Sequence, residues 1–323
     1  MRSERVHLVG EPRHPSLHHA PSGRGETVFP AFWLVAPALL AALLLRAPLG
    51  QSTATLASTL IFLGGGLPHG AYDIALLGRA TTLQRSGLIV ATGCYVATAA
   101  AMAILWMTLP LLALIVFLSV ATVHFSEDWY MVTEPLLRLA AGAAVIAAPL
   151  IGSRAEVTRL FVAMSDERAT VVAQSISAAA PVVLLLTMVS VVVAWQAGSR
   201  QWAAAMAVCL ALLVLAPPVA GFALFFVFLH SPRHLRQARA ALPTMSLAKW
   251  LATGGLLSGA AILSWWVLAS VAPAHLGEDM TAEAFKLLAS VALPHLLLSR
   301  RLEHLLTRRA SSVPEQQSRP RMG

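Results

Sequence analysis

Apolar runs separated by short polar or proline-bearing breaks recur from Val28 to Arg300. Many of them approach the 20 or so residues that an α-helix needs to cross roughly 30 Å of hydrocarbon. Hydrophobic length and turn signals together predict spans over 29–49, 55–77, 87–109, 110–126, 136–152, 178–197, 202–216, 218–236, 250–272 and 281–300. Two runs exceed one helix. Gly87 to His124 is divided at Pro110, and Trp202 to Leu229 at Pro217 and Pro218, because proline removes a backbone donor and breaks the ladder. The pattern predicts an all-α, polytopic membrane bundle of about eight to ten transmembrane helices. A single transmembrane domain over 28–302 is expected between a disordered tail, 1–27, and a disordered basic tail, 303–323.

Composition agrees with that pattern: 57% of the residues are hydrophobic, 12% are charged, and the mean hydropathy is +0.72. The net charge of +8 does not point to nucleic acid, since the basic residues are scattered over short loops and both tails. Placing the amino terminus inside puts most of them in cytoplasmic segments, as the positive-inside trend requires, and both termini are then cytoplasmic in a bacterial-type inner membrane. Arg46 and Lys286 fall on the other side of that trend. The segment between Ile151 and Ser177, with Arg154, Glu156, Arg159, Asp166, Glu167 and Arg168, is expected to be an outer loop. Cys94 and Cys209 lie in apolar runs and read as packing residues.

Against this apolar background the histidines carry the chemistry. His7, His14, His18, His19, His275 and His304 fall in polar tails or loops, where solvation accounts for them. His69, His124, His230, His234 and His295 instead lie in the inner halves or at the inner ends of spans that all run from outside to inside, so one depth holds them all. Polar groups at membrane depth are costly unless they pair, ligate or face a cavity. His230 and His234, at i and i+4, share a helix face about 6 Å apart, with Pro232 between them to re-aim the pair. Gly64, Gly65, Gly66 and Gly70 around His69 would allow close helix approach. Asp73 follows His69 by one turn, and Glu127 and Asp128 follow His124; such acids fix ligand tautomers when they accept the other ring proton. Imidazoles without thiolates suit zinc, copper, iron or nickel, and composition does not separate these. Four neutral ligands with open positions would fit a redox iron site.

The motifs Gly66-Leu-Pro-His69-Gly-Ala-Tyr-Asp73, His124-Phe-Ser-Glu-Asp128, His230-Ser-Pro-Arg-His234 and Leu293-Pro-His295, in this order in a multi-span chain, resemble the Brp/Blh family of integral-membrane β-carotene 15,15'-dioxygenases. The resemblance spans residues from about 55 to 300. It implies cleavage of the central double bond of β-carotene, or of a related carotenoid, by O2 to give two molecules of retinal, with a functional link to a retinal-binding rhodopsin. It also implies Fe(2+) held by His69, His124, His230 and His234, and His295 matches a family motif; beside this set, His295, Asp73, Asp128 and Glu127 are read from their positions as a fifth ligand or supporting groups. A carotenoid dissolved in the lipid bilayer would enter between helices, and Tyr72, Phe125, Phe226 and Trp265 are the tunnel residues expected to hold it.

Two other functions compete at this stage. A di-iron lipid desaturase or hydroxylase needs more histidines, in clustered boxes. A histidine-lined transporter needs polar residues marking a path across the whole bilayer, whereas these gather at one side.

Overall fold

The computed structural model describes residues 27–49, 52–81, 84–271 and 279–311. The amino-terminal tail to residue 26, the loop carrying His275 and the tail beyond Ser311 lie outside the described residues. Among the described residues every regular element is helical.

In chain order the helices are α1 (Phe32–Leu44), α2 (Ser52–Gly66), α3 (Asp73–Ala80), α4 (Arg85–Thr108), α5 (Pro110–Ser126), α6 (Pro135–Ala147), α7 (Pro149–Gly152) and α8 (Arg154–Met164). They continue as α9 (Ala169–Gln196), α10 (Arg200–Leu215), α11 (Pro218–Phe225), α12 (Ser231–Ala241), α13 (Leu247–Val271) and α14 (Met280–Ser311). A helix falls on each expected span. Among the described residues, six segments are long and apolar enough to cross a membrane, from Ser52–Ala80 to Met280–Arg300. The helices on three other expected spans, α1, α6 and α10, have 13, 13 and 16 residues, short of the roughly 20 that a full crossing takes.

Proline marks the breaks. Pro110 occupies the first position of α5, where its missing N–H costs nothing, and Leu109 before it leaves the helical region at φ −136° and ψ 66°. Pro218 opens α11 in the same way.

Two expectations are revised. The segment Ile151–Ser177 is not a loop: it holds α8 and the start of α9, which begins at Ala169. Val157, Phe161 and Met164 recur every three to four residues and are buried, so α8 packs on α9 and α14 while its charged residues face away. The density of charge hid that period. The last helix runs to Ser311, well past Glu303.

α5 lies against α4, α6 and α14, and α14 in turn contacts α2, α3, α4 and α8, so these two helices form the centre of the bundle. Gly142 lets α6 meet α5 closely: a Cβ there would lie 2.2 Å from the Thr122 carbonyl oxygen and 2.6 Å from the Ser126 nitrogen. An aromatic cluster fills the space between α2, α5, α11 and α14, with ring centroids of Phe62 and Phe285 4.8 Å apart and those of Phe125 and Phe225 5.0 Å apart. Lys286, against the charge trend in sequence, is buried and neutralised within its own helix: its Nζ donates to Glu283 Oε1 at 2.7 Å, and Trp265 Nε1 donates to Glu283 Oε2 at 3.2 Å.

Candidate metal centre

The backbone is irregular at most of the points where it delivers a histidine. Between α2 and α3 the chain tightens into a 3-10 segment, Leu67–Tyr72, carrying His69. His124 occupies the last turn of α5, just before a second 3-10 turn, Glu127–Trp129. Between α11 and α12 the helix widens into a π turn, Phe226–His230, and the Ser231 N–H bonds back to the Phe226 carbonyl five residues earlier. Pro232 gives the cause: it has no N–H to offer the Phe228 carbonyl, so the ladder cannot run at normal pitch through this point. His234, within α12, and His295, one residue after Pro294 within α14, come from regular helix.

These elements bring all five histidines together. The His124 ring centroid lies 4.7 Å from that of His230, 5.3 Å from His234 and 5.1 Å from His295. The His69 ring lies 5.0 Å from His295, 5.2 Å from His230 and 5.7 Å from His234. His230 and His234 are 4.5 Å apart, closer than their spacing alone required. His69, His124, His230 and His295 are buried, and His234 is partly exposed. Two triads, His69–His124–His295 and His124–His230–His234, each present one donor atom per residue within 4.8 Å of one another. They share His124.

Outer contacts engage one nitrogen on each of four rings. His69 Nδ1 contacts the Gly66 carbonyl oxygen. His124 Nδ1 lies 3.3 Å from Glu127 Oε2, His230 Nδ1 is 2.8 Å from Asp128 Oδ2, and His295 Nδ1 is 2.8 Å from Asp73 Oδ2. An Nδ1 facing an acceptor carries the proton, so the lone pair is left on Nε2. The Nε2 atoms of His124 and His230 face each other at 3.1 Å, and the Nε2 of His295 is buried without a hydrogen-bond partner. Two neutral imidazoles do not hold their lone pairs at that distance without a cation between them. Protonating either Nε2 would require a charged imidazolium, or would turn the same ring's Nδ1 lone pair on a carboxylate. The donor set therefore fits a metal ion. Because the Nδ1 of His124 is engaged, its single free Nε2 could serve one ion, so the two triads that share it could hold one ion between them.

The carboxylates are themselves held. Asp128 is fully buried, and its Oδ1 accepts from Arg233 Nη1 at 2.9 Å and lies 3.6 Å from His234 Nε2. The Arg233 guanidinium stacks over Tyr130, 4.6 Å from the ring centroid, and reaches the Glu127 carbonyl oxygen at 3.3 Å. Glu127 also lies 3.6 Å from Arg300.

Beside the histidines opens a cavity of about 550 Å3, within the range of small-molecule sites. His69, His124 and His295 form one part of its wall, and the remainder is overwhelmingly apolar. Of the expected tunnel residues, Phe125, Phe226 and Trp265 line it. Tyr72 does not: it is buried against Trp250, with ring centroids 3.6 Å apart, and donates to the Trp250 carbonyl at 3.0 Å. The glycines beside His69 divide similarly. A Cβ at Gly66 would lie 2.1 Å from the Phe226 ring, whereas one at Gly64 would meet nothing within 4 Å.

Sequence reasoning missed two residues here. Tyr95 lines the cavity with its hydroxyl beside Asp73 and Gly70; its signal was a tyrosine in the middle of an apolar span rather than at a membrane interface. Arg233 was legible only as one of several inner charges, although its place between two histidines marked it.

Residues 58–303 match the family described as beta-carotene 15,15'-dioxygenase. A protein of the uncultured marine bacterium 66A03 named beta-carotene 15,15'-dioxygenase is 28% identical over 265 residues, which make up 72% of this chain and 88% of the relative. No solved structure matches the chain.

Proposed function

The chain belongs to the β-carotene 15,15'-dioxygenase family of carotenoid-cleaving enzymes, and on that premise we propose that its histidine centre holds Fe(2+) and that it cleaves the central 15,15' double bond of β-carotene to give two all-trans-retinal. The observation that carries the metal is the pair of Nε2 atoms of His124 and His230, 3.1 Å apart, with both Nδ1 atoms turned to carboxylates. His69, His124, His230 and His234 are the ligands, and His295, whose free Nε2 has the same disposition, is the fifth.

Ferrous iron supplies the capacity to bind and activate O2, which no side chain has. The stoichiometry closes without a further reductant: one C=C bond and one O2 become two C=O bonds, one oxygen on each carbon. What the chain contributes is position. Asp73, Glu127, Asp128 and the Gly66 carbonyl fix the imidazoles in one tautomer and orientation, and Asp128 and Glu127 bring negative charge close to the cation. Phe125 and Phe226 pack against His230 and line the cavity beside His69, His124 and His295, where they would hold a polyene against the metal and keep bulk water from it.

A substrate dissolved in hydrocarbon requires a site at membrane depth, and the six apolar helices supply that setting. In this reading the chain resides in a bacterial cell membrane with both termini cytoplasmic, and its product serves a retinal-binding rhodopsin.

The test is expression of the chain in carotenoid-producing bacteria. Retinal should accumulate as the orange colour is lost. A well-expressed, iron-loaded protein that forms no retinal would overturn the reading.

A further inference from the structure

We propose that the metal ion enters and leaves the histidine centre through a polar port outside the apolar cavity, where Glu127 receives the ion and Arg300 holds the port shut. This rests on the reading of the five histidines as a metal centre.

The centre has two kinds of surroundings. His69, His124 and His295 look onto the apolar cavity, whereas Glu127, Asp128, His230, His234 and Arg300 take no part in its lining. A divalent ion passing the apolar wall would have to shed its water with nothing to replace it, and an uncompensated charge in such a medium carries a very large desolvation penalty. The ion therefore needs a path lined by polar side chains.

Most polar groups of the centre are sealed. His69, Asp73, His124, Asp128, His230, Arg233 and His295 are all buried. The side chain of Glu127 is instead 24% exposed and that of His234 18% exposed. Although the His234 ring reaches the surface, its Nε2 is buried without a hydrogen-bond partner, 3.6 Å from Asp128 Oδ1. One imidazole thus spans from the outside to the interior of the cluster, and Glu127 lies within electrostatic range of it.

Glu127 and Asp128 are adjacent in the chain but held very differently. Asp128 meets His230 at 2.8 Å and Arg233 at 2.9 Å, the lengths of well-formed charge-assisted bonds, so it is a fixed prop. Glu127 makes only long contacts: Oε2 lies 3.3 Å from His124 Nδ1, and Oε1 lies 3.6 Å from Arg300 Nε. A carboxylate held this loosely is free to turn. Arg300, five residues after His295 on α14, is 52% exposed, and it covers the outward oxygen of Glu127 with a positive charge.

Passage follows from these contacts. Arg300 swings into solvent and uncovers Glu127 Oε1, which takes the ion while part of its water shell remains. The ion moves on to His234 Nε2 and then among the inner Nε2 atoms, and Arg300 returns to the carboxylate. Because Arg300 stands on the route and not among the ligands, it sets the rate of exchange in both directions and leaves the affinity nearly alone.

The full chain, purified, stripped of metal and kept free of O2, is mixed with Co(2+), whose visible absorption reports ligation; release is followed after adding excess chelator. Arg300→Gln should speed uptake and release together by about tenfold, with the dissociation constant within about threefold, because the repelling charge and the competitor for Glu127 are both gone. Arg300→Lys keeps the charge and should exchange within about twofold of the unaltered chain. Glu127→Gln, with a melting temperature that confirms folding, should take up the ion about tenfold more slowly. Exchange by Arg300→Gln at the unaltered rate, or faster release with unchanged uptake, sinks the port, since a residue that only props the site changes release alone. Unchanged uptake by folded Glu127→Gln sinks it equally. If the unaltered chain binds neither Co(2+) nor Fe(2+), the metal centre itself is refuted and the port with it; retinal formation plays no part in the measurement.

Discussion

Asp73 and His295, 222 positions apart in the chain, form a buried pair in which the imidazole Nδ1 donates to the carboxylate at 2.8 Å. Asp73 opens α3 directly after the 3-10 segment that carries His69, yet its carboxylate serves a histidine from the last helix. The pair ties α3 to α14 at the histidine cluster and leaves the Nε2 of His295 buried without a hydrogen-bond partner.

The Asp73→Asn variant keeps the shape of that side chain and removes its charge. Iron affinity should fall about 10- to 100-fold, the usual effect of altering a group behind a ligating histidine. Competition with a chelator measures this, and excess ferrous iron should restore much of the cleavage rate. Unchanged affinity would place His295 outside the centre.

His124 belongs to both triads, so its loss is expected to be the most damaging among the five. His124→Ala should reduce the iron to protein ratio to near zero, whereas His234→Ala, which removes the partly exposed member, should leave a measurable fraction. Elemental analysis of purified variants decides between them. Full iron in the first would remove it from the ligand set.

Asp128 meets Arg233 and His230 in a fully buried position. Asp128→Ala removes the carboxylate that meets Arg233 at 2.9 Å, and breaking a buried pair in this way costs about 3–5 kcal/mol. A lower melting temperature in detergent should accompany iron loss. Adding Arg233→Met should recover part of the stability while leaving iron low, because the charge imbalance is gone but His230 still lacks its acceptor.

Gly142→Ala places a methyl group against the backbone of α5, beside Thr122 and Ser126, two residues on either side of His124. Backbone cannot move aside as a side chain does, and overpacking of this kind costs about 1–3 kcal/mol. Gly64→Ala, which meets open space, should by contrast be neutral or slightly stabilising. Thermal melts of the two proteins give the comparison.

Much of this was legible along the chain. Apolar length located the helices, and proline marked where they break at Pro110 and Pro218, because these are properties of local segments and of the solvent they face. The rarity of histidine at membrane depth singled out His69, His124, His230, His234 and His295. Pro232 announced a distortion between two of them, although its form, a π turn, came from how the helix re-satisfies its own carbonyls.

Tertiary structure decided the partnerships. Spacing set Asp73 beside His69 and Asp128 beside His124, yet the first binds His295 and the second His230. An imidazole held by a helix projects its outer nitrogen toward whatever helix lies next to it, and neighbours in space are fixed by packing, not by sequence distance. The same reason turned Tyr72 onto Trp250, brought Tyr95 into the cavity, and gave α8 a buried face in a segment whose charges suggested a loop. The sequence by itself determined which groups are too polar for their surroundings; only the packed bundle determined which of them answer one another.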